Sequence, residues 1–280
     1  MNENNLVRRF GKEINKLLDE DNIITIKRHD NNTIIKKKYT ENLELSFILS
    51  NDHPFKTPQV YINKIIYCDY LLNQKNYIKK LILELNLSCP NIKGHSQTGY
   101  DFNATEHLLR KCSEILDNKH SKFVFGIKLP PYFDTSHWGM AFDVIREFPI
   151  DTITCINSVG NGLVVDPINE CSVISPKRGL GGIGGSPIKS IALANVFQFS
   201  QNTKCDVIGC GGIANGVDAF EHILCGAKAV QLGTIVMLDG LNVFKNIEAE
   251  LLEIMRSKGY KKISDFCGKL KYVHPQLYGN

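Results

Sequence analysis

From residue 78 onward the chain repeats one alternation five times, a short apolar run followed by a stretch with helical spacing. The pairs are Leu81 to Leu87 with Ala104 to Leu116, Phe123 to Leu129 with Trp138 to Phe148, Thr152 to Ile156 with Ile188 to Phe199, Asp206 to Gly209 with Val217 to Cys225, and Ala229 to Leu232 with Leu241 to Lys258. Strands that alternate with helices and read as apolar on both faces predict a parallel sheet covered by its own crossovers. Sheets of this kind carry their sites at the carboxyl ends of the strands, and every polar motif of this part of the chain falls at such an exit.

Composition narrows the function classes. With 280 residues, 43% of them hydrophobic, there is enough apolar material for a substantial core. The net charge is +4 and the basic residues are interspersed with acidic ones except at Lys36 to Lys38, which argues against a nucleic-acid partner. No segment approaches the roughly 20 apolar residues of a membrane span, and the N-terminus lacks a signal-peptide core, so a cytoplasmic protein without a membrane partner is expected. The nine cysteines are odd in number and contain no C-x-x-C pair, which predicts a reduced compartment and no metal site. Cys155, Cys210 and Cys225 lie in apolar runs and read as small buried fillers.

Before residue 78 the pattern differs. Leu6, Phe10, Ile14 and Leu17 predict a helix over residues 4–19. Ile24 and Ile26, Ile34 with Tyr39, Leu43 to Leu49, and Val60 with Ile62 predict an antiparallel meander, with turns at Asp30 to Asn32 and Asn51 to His53.

The strand exits carry the chemistry. Glu84-Leu85-Asn86-Leu87-Ser88-Cys89-Pro90-Asn91 places a thiol and two carboxamides where Pro90 stops a strand, so Cys89 is expected at its C-terminal end. Lys128 sits between aliphatic residues near the end of the next strand. There a buried ammonium needs a negative charge to meet it, the alternative being a lysine that snorkels to water. Asn157 and Ser158 close the third strand. Ile208-Gly209-Cys210-Gly211-Gly212-Ile213 and Val230-Gln231-Leu232-Gly233-Thr234 put small residues at consecutive exits, where backbone N–H groups can approach a phosphate; paired glycines also serve simply as tight turns. Gly179 to Gly185 reads as a mobile or closely approached loop.

These motifs resemble class 1A dihydroorotate dehydrogenase. The likeness is carried by Glu84 to Asn91, Gly126 to Asp134, Asn157 to Leu163, Gly181 to Gly185, Asp218 to His222, and the tail Ile263 to Phe266 with Gly268 to Leu270, and it covers residues 79–275. It implies an FMN enzyme that oxidises dihydroorotate to orotate in pyrimidine biosynthesis, with fumarate as acceptor. Carried over by motif, Cys89 is the base that takes the C5 proton while hydride leaves C6 for the flavin, chemistry that suits a thiolate. Asn86, Asn91, Asn157 and Ser158 would hold the pyrimidine. Asn86, Lys128, Ile156, Gly185, Gly211, Gly212, Gly233 and Thr234 would bind FMN, with Lys128 balancing the charge of its reduced form.

Members of that family build eight βα units, and the motifs here correspond to the last five. The resemblance therefore implies an α/β fold with an incomplete (β/α)8 TIM barrel over residues 79–280, preceded by a small α+β domain over residues 1–78. The first segment is similar, through His53-Pro54-Phe55-Lys56-Thr57-Pro58-Gln59-Val60, to the front half of a ubiquitin-conjugating or RWD-type domain. Its meander is expected to cover the open edge of the barrel, because five strands cannot close. A homodimer and an unidentified protein partner of residues 1–78 stay open. So does the alternative of a catalytically inactive ligand-binding or protein-interaction module.

Overall fold

The computed structural model describes residues 34–35, 47–48, 81–88, 97–116, 123–174 and 179–271. In the first part, β1 (Ile34–Ile35) pairs antiparallel with β2 (Phe47–Ile48), placing Ile34 against Ile48 and Ile35 against Phe47. These are pieces of the second and third strands expected there. The helix expected over residues 4–19, the remaining meander strands and turns, Lys36 to Lys38 and the His53 to Val60 motif lie outside the described residues.

The main sheet is parallel and has five strands: β3 (Leu81–Asn86), β4 (Phe123–Leu129), β5 (Thr152–Cys155), β10 (Asp206–Cys210) and β11 (Ala229–Gln231). Each strand lies beside the one that precedes it in the chain's parallel series, so the order never reverses. A doubly wound sheet reverses at a switch point, whereas sequential order is what a barrel wall requires. Between β5 and β10 the chain makes two antiparallel pairs, β6 (Val159–Leu163) with β9 (Leu180–Ile183) and β7 (Val165–Asp166) with β8 (Cys171–Ser172). The Gly179 to Gly185 segment is thus partly a strand rather than a loop, because Gly181 and Leu180 pair with Gly162 and Leu163.

A helix follows each of the first four strands, and two follow the fifth. α1 (Phe102–Leu116) follows β3, α2 (Thr135–Arg146) follows β4, α3 (Lys189–Asn202) follows β5 and its hairpins, and α4 (Gly216–Leu224) follows β10. After β11 come a short α5 (Thr234–Asp239) and then α6 (Val243–Ser257). α2 begins three residues before the expected start at Trp138, since Asp134 accepts the His137 backbone N–H at 2.9 Å and caps it. α4 opens with a capping box in which Asn215 and Asp218 satisfy each other's backbone N–H groups.

The register divides the sheet into two chemically opposite faces. Leu85, Leu87, Phe125, Ile127, Leu129, Ile153, Cys155 and Val207 belong to one buried cluster with Leu109 and Cys112 of α1, Phe142 of α2, and Ala192, Val196 and Phe199 of α3. Strand residues alternate faces, so their neighbours Glu84, Asn86, Lys128, Thr152, Thr154, Cys210 and Gln231 lie on the other side. The expectation of strands apolar on both faces is corrected here: the inner face carries polar residues toward the strand ends, with Val124 and Ile208 apolar nearer the strand starts.

The apolar face also explains the cysteines. Cys155 and Cys225 are buried, and burial holds the Cys155 thiol well above the ordinary thiol range and pushes Cys225 to about 11. Cys210 departs from its expected filler role, since it is half-buried on the polar face with Sγ 3.7 Å from Lys128 Nζ.

Where β10 meets α4, the buried His222 ring lies where a Cβ on Gly209 would be, 2.5 Å from its Nδ1. Its Nε2–H donates to Gly211 O at 3.0 Å, and burial lowers its pKa to about 4. A neutral ring is therefore favoured in the folded state. In the unfolded chain the ring takes a proton below about pH 6.5, so stability is lost as pH falls from there toward 4, by roughly 3 kcal/mol in all. Urea midpoints measured between pH 7 and 4.5 should fall less steeply for His222→Gln than for the native chain; parallel slopes would refute this assignment.

Candidate functional site

Three structural units converge on the inner face. The first is a carboxamide cluster just beyond β3 and β5. Asn86 Oδ1 accepts from Ser88 N at 3.0 Å and from Asn157 Nδ2 at 3.2 Å, and lies 3.0 Å from Ser88 Oγ. Ser88 Oγ is also 3.1 Å from Lys128 O and accepts from Asn157 Nδ2 at 3.0 Å. A hydroxyl has one proton, so Ser88 donates to either Asn86 or Lys128 at any moment. The backbone N–H of Ser158 donates to Asn157 Oδ1 at 2.8 Å. With Asn86 Oδ1 occupied in this way, the N–H donors of Asn86 are what it has to offer a ligand.

Strand ends are displaced slightly from their expected places. β3 ends at Asn86 and β5 at Cys155, so Asn157 and Ser158 lie past the strand exit. Ile156, joined to Cys155 by a cis peptide bond, donates its N–H to Cys210 O at 2.8 Å, and Asn157 donates its own to Leu129 O at 2.9 Å. Two backbone bonds to the flanking strands thus hold Asn157 beside Asn86. Cys89 and Asn91 lie outside the described residues; Ser88, the immediate neighbour of Cys89, is fully buried.

The second unit is Lys128 and its surroundings. Its Nζ donates to Gln231 Oε1 at 3.0 Å and approaches Cys210 Sγ. Gln231 Nε2 in turn donates to Glu84 Oε2 at 3.0 Å, and Thr154 Oγ1 donates to the same oxygen. Glu84 is 1% exposed and Thr154 is fully buried. The expectation that a negative charge meets the lysine acquires a specific form: the carboxyl of Glu84 reaches it through an intervening amide.

The third unit is the set of glycine turns. Gly211 and Gly212 have φ of 122° and 75°, a left-handed region in which a side chain is strained. A Cβ on Gly212 would lie 2.4 Å from Lys189 Cβ, and one on Gly211 would lie 3.0 Å from Ala192 Cβ, so this turn is pressed onto the start of α3. Gly185 sits against Thr234, a Cβ there falling 3.3 Å from Thr234 Cγ2, which brings the β9 exit and the β11 exit together. At Gly233, before α5, a Cβ would meet no protein atom within 4 Å. The packing of the chain accounts for bare backbone at Gly211 and Gly212, while Gly233 opens onto free space. Together these turns leave bare backbone at the exits of β9, β10 and β11, where the sequence leads one to expect a phosphate cradle.

Behind the cradle, α4 holds the turn in place. His222 binds Gly211 O, and Asp218 Oδ2 accepts from Ala214 N at 2.8 Å and Asn215 N at 3.2 Å. Asp218 Oδ1 also pairs with Lys189 Nζ at 2.7 Å, tying α4 to α3. On α3, buried Asn195 accepts from Tyr132 N and Trp138 Nε1 and donates to Tyr132 O. Tyr132 Oη donates to Gly99 O at 2.6 Å, and Gly99 N donates to Leu87 O at 2.8 Å, so both ends of the segment that contains Cys89 are fastened.

Of the residues expected from sequence, Asn86, Asn157, Ser158, Lys128, Ile156, Gly211 and Gly212 are connected through direct contacts on this face, with Gly185 joined to Thr234 beside them. Sequence reasoning missed Glu84, Ser88, Thr154 and Gln231. The available signal was a charged residue in the otherwise aliphatic run Leu81 to Leu85, and an amide in Ala229 to Leu232.

Known proteins resemble this chain over most of its length. The dihydroorotate dehydrogenase family profile matches residues 59–255. A dihydroorotate dehydrogenase (fumarate) of Trypanosoma brucei brucei is 49% identical over 197 residues, 69% of this chain and 61% of that protein. Dihydroorotate dehydrogenase A (fumarate) of Lactococcus lactis subsp. cremoris is 49% identical over 192 residues, covering 68% and 60% respectively. The Kluyveromyces lactis dihydroorotate dehydrogenase (fumarate) is 48% identical over 194 residues, covering 69% and 60%. The chain thus spans about 60% of the length of the curated relatives it matches. Among solved structures, Eimeria tenella dihydroorotate dehydrogenase in complex with ferulenol superposes with a TM-score of 0.56 at 23% identity, over 67% of this chain and 53% of that one, a likeness of fold. From a profile match over most of its length and fumarate-type relatives near 49% identity, it follows that the chain belongs to the dihydroorotate dehydrogenase family, on its class 1A branch.

Proposed function

We propose that the chain carries the flavin- and substrate-facing part of a class 1A dihydroorotate dehydrogenase and oxidises dihydroorotate to orotate, with fumarate as the acceptor. The observation that supports this reading most is the convergence of Lys128, the Asn86–Ser88–Asn157 cluster and the Gly211–Gly212 turn on one polar face. Each unit has a separate task. Asn86 and Asn157, with Ser158 and Asn91, would bind the ring amides and carboxylate of a planar pyrimidine, because neutral donors and acceptors discriminate by geometry. The backbone at Gly185, Gly211, Gly212, Gly233 and Thr234 would seat the FMN phosphate. Lys128, with Ile156 and Asn86 beside it, would face the isoalloxazine ring, where a fixed ammonium favours negative charge.

Bound FMN would supply the two-electron acceptor for the substrate's C–H bond. The proton from the neighbouring carbon is assigned to Cys89, one residue past buried Ser88. The cysteines at 112, 155, 205 and 225 are poor candidates for that task, since burial raises each thiol's pKa and a base needs the thiolate.

In the same reading, residues 79–280 form the last five units of a (β/α)8 barrel and residues 1–78 a separate α+β domain that covers its open edge or meets a protein partner. A cytoplasmic location and a homodimer accompany it. Among the described residues no helix is long and apolar enough to cross a membrane. The second reading is a family member that binds a flavin or pyrimidine without turning it over.

Purified protein mixed with FMN separates the two. In the first reading it turns yellow and bleaches on anaerobic addition of dihydroorotate, and Cys89→Ala keeps the colour while bleaching slows by at least about 100-fold. Yellow protein that never bleaches would favour the second reading. Colourless protein that rejects FMN would sink both. Gly185→Ala, which pushes a methyl toward Thr234, should weaken FMN binding about tenfold in a fluorescence titration; undiminished affinity would remove that turn from the cradle.

A further inference from the structure

The inner face holds a buried carboxyl that the proposed reaction does not use. Glu84 is 1% exposed, and its register row with Gly126 lies two residues before the row that carries Asn86 and Lys128, on the same face. Its Oε2 collects the Gln231 Nε2 donor at 3.0 Å and the Thr154 hydroxyl. That oxygen thus serves as the acceptor for two donors from two other strands.

The direction of each bond in this chain is dictated by its ends. Lys128 has donors and no acceptor, so the amide of Gln231 must turn Oε1 toward it, at 3.0 Å. That leaves Nε2 facing the other way, where only an acceptor satisfies it, and Glu84 stands there. If Glu84 were removed, Nε2 would lose its acceptor, and rotation of the amide would point N–H groups at an ammonium. Thus the carboxyl fixes the amide, and the amide fixes the ammonium.

We propose that Glu84, acting through Gln231, is a positioning residue that holds Lys128 toward the flavin and partly balances its charge, so that it sets the reduction potential of the cofactor. The proposal rests on the flavin-binding role given to Lys128 above. A negative charge behind the lysine disfavours a second negative charge in front of it, so Glu84 holds the potential below what Lys128 alone would impose.

Glu84→Gln preserves the size of the side chain and an acceptor oxygen while removing the charge. In the FMN-loaded full chain it should shift the equilibrium with a redox dye toward the reduced cofactor by roughly tenfold, about 30 mV for a two-electron couple. Thr154→Val removes a donor from the same oxygen without changing charge and should leave that equilibrium within about twofold. An unshifted Glu84→Gln, or equal shifts in both variants, would overturn the proposal and leave Glu84 a packing residue. A wild-type chain that rejects FMN would fail the functional reading instead, and the charge chain would then be tested without cofactor. There, thermal midpoints of Glu84→Gln, Lys128→Met and the double variant should be non-additive, and strict additivity would again overturn it.

Discussion

A carboxyl group can be buried inside a sheet only if donors surround it, and this requirement organises the inner face of the protein. Glu84 receives Thr154 from β5 and Gln231 from β11, so its satisfaction links the first strand of the parallel sheet to the last. Lys128 on β4 completes the connection. The polar face is therefore tied across the curved sheet by side chains, whereas the opposite face is held by apolar contact with α1, α2 and α3. Either face alone would leave the sheet under-determined: the apolar contacts specify which side the helices cover, and the polar chain specifies how far apart the strand ends lie.

The same division of labour extends to the strand exits. The glycine turn after β10 cannot carry side chains to anchor itself, so its anchors come from behind, through His222 on the Gly211 carbonyl and Asp218 on the amides of Ala214 and Asn215. A bare turn can be approached closely by a ligand because α4 supplies the rigidity. Asn195 and Tyr132 do comparable work, fastening the β4 exit to the segment at Gly99. The groups that face the site are thus held by others that do not, which is the condition for a preorganised pocket.

How much of this was legible beforehand varied with the range of the interactions. β4 matched its expected bounds, and β3, β5, β10 and β11 fell within a residue of theirs, because apolar runs between turn residues report local burial. The hairpins between residues 159 and 183 were not anticipated. Their glycines, Gly162 and Gly181 among them, lack a strand signature and pair only because the partner segment arrives beside them. The short α5 was missed too, since six residues carry no helical period. Among site residues, Asn86, Lys128, Asn157 and the glycine pairs could be picked out as polar or bare positions at strand exits. Glu84, Thr154 and Gln231 could not, since their bonds join residues 70 and 147 positions apart.

By itself, the sequence determined the alternation of strands and helices, the parallel sense of the sheet and the family to which the motifs belong. All of these follow from local periodicity and from residues contiguous in the chain. Only the tertiary structure decided that one face of the sheet gathers polar groups from all five strands toward their C-terminal ends, which way the Gln231 amide is turned, and which charge stands behind Lys128. Hydrogen bonds between side chains depend on strand register and on a separation of about 3 Å. No linear pattern encodes either until the strands have been brought side by side.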